Sequence, residues 1–370
     1  MSNATESYLA LLEPHRAAHI WRYTPWRLAH PTGTTVDIPE ATAPALSLTD
    51  ITGGEAPDGV SLRSATAADI ERLTGEHFGS GEAAAAFMRA IVSGDAAVLT
   101  VDANTTHPTP ILLEIETRGK VCPLHLLIDI GALSQVEIVT TISGDAEWSG
   151  LLREGNVGDG AIYNDAVVQR MSGRLLRLDS IRHQRDAQVK FGTVAAAGTK
   201  VKADLRHKLI GRGAHLSIHG SILASDKQQQ DHHIEIQHST QDSFSRLDWH
   251  SACAGASTTT GTGMLRVDKG ATGTDAAQVF HNLLLSKDAK ANSIPELEVL
   301  ESEVHGCGHG TANGPIDEAQ KFYLEARGFS ESEAVATLTE AFLNSTLSAM
   351  GSDEMRGLLI DLTSSYLNSI

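Results

Sequence analysis

The chain has 370 residues, 41% hydrophobic and 20% charged, and its 46 acidic against 29 basic side chains give a formal charge of −17 and a pI near 5.4. That length allows two or three domains, or one extended domain with appendages. The acidic balance excludes a phosphate-tracking surface, so neither nucleic acid nor an anionic membrane is an expected partner. No stretch reaches the roughly 20 apolar residues that span a bilayer, and the opening segment lacks the basic-then-apolar pattern of a secretory signal. Three cysteines, Cys122, Cys253 and Cys307, are too scattered for a disulfide framework. A cytoplasmic protein with reduced thiols is expected. With 33 glycines and 5% aromatic residues, many short strands joined by turns are expected in the middle of the chain.

Residues 1–95 read as a mixed helical region. Tyr8, Leu9, Leu11 and Leu12 open an amphipathic stretch, and a Pro/Gly/Thr-rich loop is expected from Pro25 to Pro57. Thr66 and Asp69 form a capping-box pattern ahead of Ile70 and Leu73. A further helix is expected after Ser80-Gly81, running through Phe87, Met88 and Ile91 to a C-terminal breaker at Gly94.

Across residues 96–310 the period changes to strict alternation, as in Ile111–Thr117, His215–Ile222, His232–His238 and Leu297–Val299. These predict strands with one buried face. Turn signals at Gly144-Asp145, Gly158-Asp159-Gly160, Gly211–Gly213 and Gly270–Gly273 separate them with no crossover helix. A sandwich and a solenoid both satisfy this pattern, and no repeat of fixed period decides between them. Helical signals return in residues 311–370. Pro315 suits a first turn, Phe322 and Tyr323 share a face ending at Gly328, Ser330 and Glu333 form a second capping box, and Ser352 opens a last helix with Met355, Leu358, Leu359, Leu362 and Tyr366 on one stripe.

The densest polar constellation is His305, Cys307 and His309, interleaved with glycines. On an extended strand all three donors share a face, and thiolate with imidazole suits zinc or iron-sulfur chemistry; the glycines equally suit a turn, and the cysteine a small buried hydrophobe. His250 and Cys253 resemble a base and nucleophile only by proximity in sequence, and a structural cysteine is the expected reading. No phosphate-binding loop, dinucleotide fingerprint or nucleophile elbow is present, so no ATP site and no catalytic residues are assigned to this chain.

Four segments in order carry a resemblance: Gln278-Val-Phe-His-Asn-Leu-Leu-Leu-Ser286, Pro295-Glu-Leu-Glu-Val299, Cys307-Gly-His-Gly-Thr-Ala-Asn-Gly314 and Asp317-Glu-Ala-Gln-Lys-Phe-Tyr-Leu-Glu-Ala-Arg-Gly328. Together with Ile20-Trp-Arg-Tyr-Thr-Pro25 near the other end, they resemble the SufB/SufD family of iron-sulfur cluster assembly proteins. The resemblance implies a mainly β fold with helical ends, built on a right-handed parallel β-helix (solenoid). It also implies a scaffold subunit rather than an enzyme. The expected partners are a SufC-type ABC ATPase docking on the C-terminal helical region and a SufB-type scaffold, or a second copy of this chain, pairing at the end of the solenoid. A transient iron-sulfur cluster at that subunit interface is the expected cargo; no flavin site is assigned.

Carried over by position, the family's interface histidine falls on His309, with Cys307 two residues before it; His305 and His281 complete the cluster or metal candidates. SufB-type chains carry a glutamate where this chain has Gly310 and a cluster-building cysteine where it has Phe280, so the resemblance is to the SufD type. The extra residue between Val304 and Cys307 shifts the register of Cys307 and leaves His309 as the primary candidate. An alternative reading is a β-helical zinc enzyme using His305, Cys307 and His309.

Overall fold

In the computed structural model residues 3–75, 78 and 82–367 are described. Their centre is a parallel β-solenoid of two nine-stranded sheets, with strands from Ala97–Val101 onward falling alternately in one sheet and the other. From Ile111–Thr117 to Gly306–Gly314 each strand pairs in parallel with the strand two further along the chain. A parallel stack needs a return path between neighbours, and here the return is the strand in the opposite sheet plus two turns. The turns fall where the glycine signals lie, at Gly158–Gly160, Gly211–Gly213 and Gly270–Gly273. The coil length is not constant. Arg153 precedes its cross-strand partner Asp179 by 26 residues, Lys202 precedes Asp231 by 29, and Thr260 precedes Asn292 by 32. This drift conceals the repeat from a search for a fixed period.

The lumen is filled by one apolar cluster running from Val60 and Leu99 through Ile138, Tyr163 and Phe191 to Trp249 and Phe280. Most core strands are buried on both faces, against the expectation of a single buried face; Val121–Ile130 has nine of its ten residues buried. Helices and loops of the two chain ends cover the outer surfaces. Helices α1 (Asn3–Leu9), α2 (Trp26–Ala29), α3 (Ala67–Leu73) and α4 (Ala83–Ile91) lie over one sheet. There Trp21, Trp26 and Phe87 pack on Trp148, Leu152 and Leu176. Trp148 Nε1 donates to the Ala29 carbonyl at 2.7 Å, and Glu154 accepts from Arg89 at 2.6 Å. Over the other sheet lie α6 (Glu331–Leu347) and α7 (Asp353–Leu367), with α5 (Glu318–Glu325) packed on α6; Leu347, Met355 and Leu359 of these helices and Met350 between them pack on Val139, Ala166 and Val194.

Both capping boxes form: Thr66 Oγ1 accepts from the Asp69 amide, and Ser330 Oγ accepts from the Glu333 amide. Ser80 and Gly81 lie outside the described residues, as does the Tyr366 side chain. Three expectations need correction. The stretch Pro25–Pro57 contains α2 and the strand Ala45–Asp50, whose alternating Leu46 and Leu48 pack on the core. The last strand continues to Gly314, beyond residue 310. Pro315 stands before the helix rather than in its first turn, because the Asp317 carboxylate accepts the Ala319 amide at 2.8 Å and so caps α5.

Phe280 closes the lumen near its far end, and Gly261 and Gly263 make room for it: a Cβ on Gly261 would lie 2.7 Å from the Phe280 ring. Replacing Phe280 by alanine leaves a void that these glycines cannot fill. We expect the substitution to cost about 3–5 kcal/mol of unfolding free energy in urea denaturation.

Two lumenal histidines set a pH dependence. Burial pushes His232 down to about 3 and His238 down to about 4, the latter ring bonded at 2.8 Å to both Ser243 and Ser245 hydroxyls. An unfolded histidine takes up a proton near pH 6.5. Between that value and about pH 4 the unfolded state therefore binds more protons, and stability falls as the pH drops through the window, by about 1.4 kcal/mol per pH unit per histidine. Urea midpoints at pH 7 and pH 5 check this, and His238→Gln should flatten the slope by one histidine's share.

Candidate functional site

The two ends of the stack differ. At the N-terminal end the strands Ala45–Asp50 and Val60–Ser64 pair antiparallel with the coil strands and are themselves the outer strands of the two sheets. At the other end Lys290–Val299 pairs only with Thr258–Val267, and Gly306–Gly314 only with Asp275–Leu284. Among the described residues each leaves one edge of backbone donors and acceptors without a strand partner, and Leu297, Val299 and Leu300 are exposed beside them. An unpaired edge of this kind is a template for strand addition.

The sequence-derived candidates sit on and beside this end. Cys307 and His309 lie on the edge strand, opposite Ala276 and Gln278, so they share the lumenal side by alternation. Cys307 is half-buried against Val304 and Leu265, and burial pushes its thiol up. His309 is exposed. His305 precedes the strand, and its amide donates to the Thr274 carbonyl at 2.8 Å. The three do not converge: among the described residues, no group of three metal-ligating side chains within 4.8 Å contains any of them. Donors two residues apart on a strand are separated by about 7 Å, and His305 is off the strand, so a zinc enzyme built on His305, Cys307 and His309 is not supported.

His281 lies elsewhere. It projects from the outer face of Asp275–Leu284, since Phe280 points into the lumen. There it meets residues that sequence reasoning did not group with it. His281 Nδ1 is 3.1 Å from His250 Nε2, and the same nitrogen is 3.1 Å from Asp248 Oδ1. His250 Nδ1 is 2.8 Å from the Phe342 carbonyl of α6, and the Phe342 ring stacks on the imidazole at 4.5 Å. His219, paired with Asp248 in the neighbouring strand, is held near 4 by burial. Burial and the neighbouring His250 push His281 down as well. For Asp248, burial is outweighed by the hydrogen bond from His250 and the histidines around it, which hold its carboxyl below the usual range. Register arithmetic was the available signal: His250 and His281 are one coil of 31 residues apart.

Cys253 faces the lumen, 3.1 Å from Thr259 Oγ1, while His250 faces outward, so the two form no nucleophile and base. Burial raises the thiols of both Cys253 and Cys122.

The fold and the site together define a parallel β-solenoid whose coil strands stand unpaired on one side at its C-terminal end. A family model described as SUF system FeS cluster assembly, SufBD core domain, matches residues 113–342. An iron-sulfur cluster assembly SufBD family protein of Mycobacterium tuberculosis is 27% identical over 353 residues, covering 93% of this chain and 86% of its own length. Another so named from Synechocystis is 28% identical over 298 residues, covering 72% and 62%. The iron-sulfur cluster assembly protein SufD of Escherichia coli is 36% identical over 80 residues, covering 22% of this chain and 19% of its own. The chain belongs to the SufBD family of iron-sulfur cluster assembly proteins.

His250 joins α6 to the solenoid through Nδ1 contacts with the Phe342 carbonyl and the Ser345 hydroxyl and through one ring stack. His250→Ala should cost about 1–3 kcal/mol and speed amide exchange across residues 339–347, read by hydrogen-deuterium exchange with mass spectrometry.

Proposed function

We propose that the chain is the SufD-type scaffold subunit of a cytoplasmic cluster-assembly complex, without catalytic activity of its own. The observation that carries this reading is the open C-terminal end of the solenoid, with exposed His309 on its outermost strand. A SufB-type chain adds strands along the edges of Lys290–Val299 and Gly306–Gly314, and a second copy of this chain is the competing occupant of the same surface. Phe280, which fills the lumen where SufB-type chains carry a cysteine, favours the partner role over the cluster-building one. Gly310 in place of the SufB glutamate points the same way. The nascent iron-sulfur cluster is cargo held across the interface, with His309 as this chain's ligand and Cys307, whose thiol is raised and half-buried, in the lesser role.

The SufC-type ATPase docks on α5 and the start of α6. Phe322 is 70% exposed and Tyr323 56%, and Phe329 extends the patch. Apolar rings that a helix leaves to solvent in this way suit a partner surface.

Co-expression with SufB-type and SufC-type chains should yield a stable ternary complex on size exclusion; failure of any association would remove the reading. His309→Ala should lower the cluster content of the purified complex several-fold while leaving its assembly and melting temperature unchanged. Converting Phe322 and Tyr323 together to aspartate should weaken ATPase association at least ~10-fold, about 1.4 kcal/mol or more, without changing the fold by circular dichroism.

A further inference from the structure

The outer face of the solenoid beneath α6 carries a donor set that the family reading does not use. Asp248, His250 and His281 offer one carboxylate oxygen and two imidazole nitrogens, all within 4.8 Å of one another. His250 Nε2 stands 3.1 Å from both of the others. Donor atoms around a four-coordinate ion with bonds of about 2.0–2.1 Å are spaced about 3.3 Å apart, so these three side chains already stand near the spacing of one face of a coordination sphere.

The hydrogen bonding points to a cation as well. A carbonyl only accepts, so His250 Nδ1, 2.8 Å from the Phe342 carbonyl, carries the proton of that bond. Fixing the outer nitrogen of an imidazole on a backbone carbonyl is the arrangement that orients a metal-ligating histidine and frees its other lone pair. That lone pair on Nε2 faces the Asp248 carboxylate and a ring nitrogen of His281. The carboxylate and that lone pair repel unless a cation or a proton lies between them, and His281 Nδ1 joins the set when its ring proton is on Nε2. His219 adds an independent sign: it is 7% exposed, its Nε2 has no hydrogen-bond partner, and it sits directly across from Asp248 on the adjacent strand. Asp248 itself is 39% exposed, which leaves a route in from solvent.

We propose that Asp248, His250 and His281 bind a single divalent transition-metal ion of the Fe2+ to Zn2+ range, with His219 as a reserve ligand. Two imidazoles and one carboxylate suit this range and disfavour Mg2+ and Ca2+, which take oxygen ligands. The site is distinct from His305, Cys307 and His309, being on the outer face of the preceding strands rather than on the open edge. It does not depend on the SufD-type assignment. Because His250 is bonded to Phe342 and Ser345 of α6, an ion here fastens that helix to the solenoid.

Co2+ titration of the full metal-stripped chain tests the proposal. One equivalent should bind with the visible absorption of a low-coordinate cobalt site and be displaced by Zn2+. His281→Ala and Asp248→Asn, which remove an imidazole and a carboxylate charge at partly exposed positions, should each weaken binding at least ~10-fold, and Zn2+ should raise the melting temperature of the unaltered chain but of neither variant. Slower exchange across residues 330–347 on adding Zn2+ would place the ion under α6. Absence of any cobalt absorption at 100 µM metal overturns the site, because a proton on His250 then supplies the charge. Undiminished binding in both variants, or its loss in His309→Ala alone, overturns it equally.

Discussion

A parallel stack satisfies its backbone hydrogen bonds only along its own axis, and this constraint organises the whole molecule. Every coil leans on the next, so polar backbone is left over at two places only, the first coil and the last. At the first the chain reverses, and Ala45–Asp50 and Val60–Ser64 lie antiparallel as the outer strands. No such strand follows Gly314: the chain leaves the sheet, caps α5 with Asp317, and returns over the outer face as α6 and α7. The two ends therefore carry edges of different kinds, antiparallel strands at the first and parallel coil strands at the last.

The lumen imposes the second demand. Polar side chains that point inward must find partners there, since burial of an unpaired charge is costly. Arg177 donates to Asp179 at 2.7 Å and to Thr193 at 3.2 Å, and Arg153 pairs with both Asp165 and Asp179. Burial opposes the charge on Arg153, and the two carboxylates more than offset it, so it remains a guanidinium. A buried set of two arginines and two aspartates contributes little net stability but is strict about register, because a slip of one residue would turn all four outward. Further along, charge gives way to rings, and Trp249 and Phe280 fill the last lumenal layers.

How much of this the sequence reveals depends on distance along the chain. Caps, turns and strand alternation are local, and Thr66, Ser330, Gly211–Gly213 and Ile111–Thr117 are read correctly from neighbours within a few residues. The solenoid is not local. Its coils run from 26 to 32 residues, so no fixed period emerges, and the choice of solenoid over sandwich came from the segments between Gln278 and Gly328. Faces are legible only when one side meets water, and the double burial of Val121–Ile130 under α4 and its neighbours is set by residues far away. The same holds for the polar sites. His305, Cys307 and His309 attract notice because they are adjacent, yet adjacency on a strand spreads side chains apart. Asp248, His250 and His281 escape notice because their nearness exists only after a coil has closed.

The C-terminal helices connect these features. Helix α5 packs on α6 and leaves Phe322 and Tyr323 to solvent, while α6 lies across the strands His215–Ala224 and Phe244–Cys253. Thr346 Oγ1 donates to the Asp248 carbonyl at 3.1 Å, and Phe342 receives the His250 proton. From His250 the next contact is His281 on Asp275–Leu284, and from the same strand Asn282 reaches Asn313 on the outermost strand at 2.6 Å. Packed elements move as units rather than by continuous deformation. The Asp248–His250–His281 cluster therefore lies on the packed route from α5 through α6 to the strand that carries His309. Whatever fixes α6 to that cluster sets how stiffly α5 and the C-terminal end of the solenoid are joined, and a proton and a metal ion would give joints of different strength.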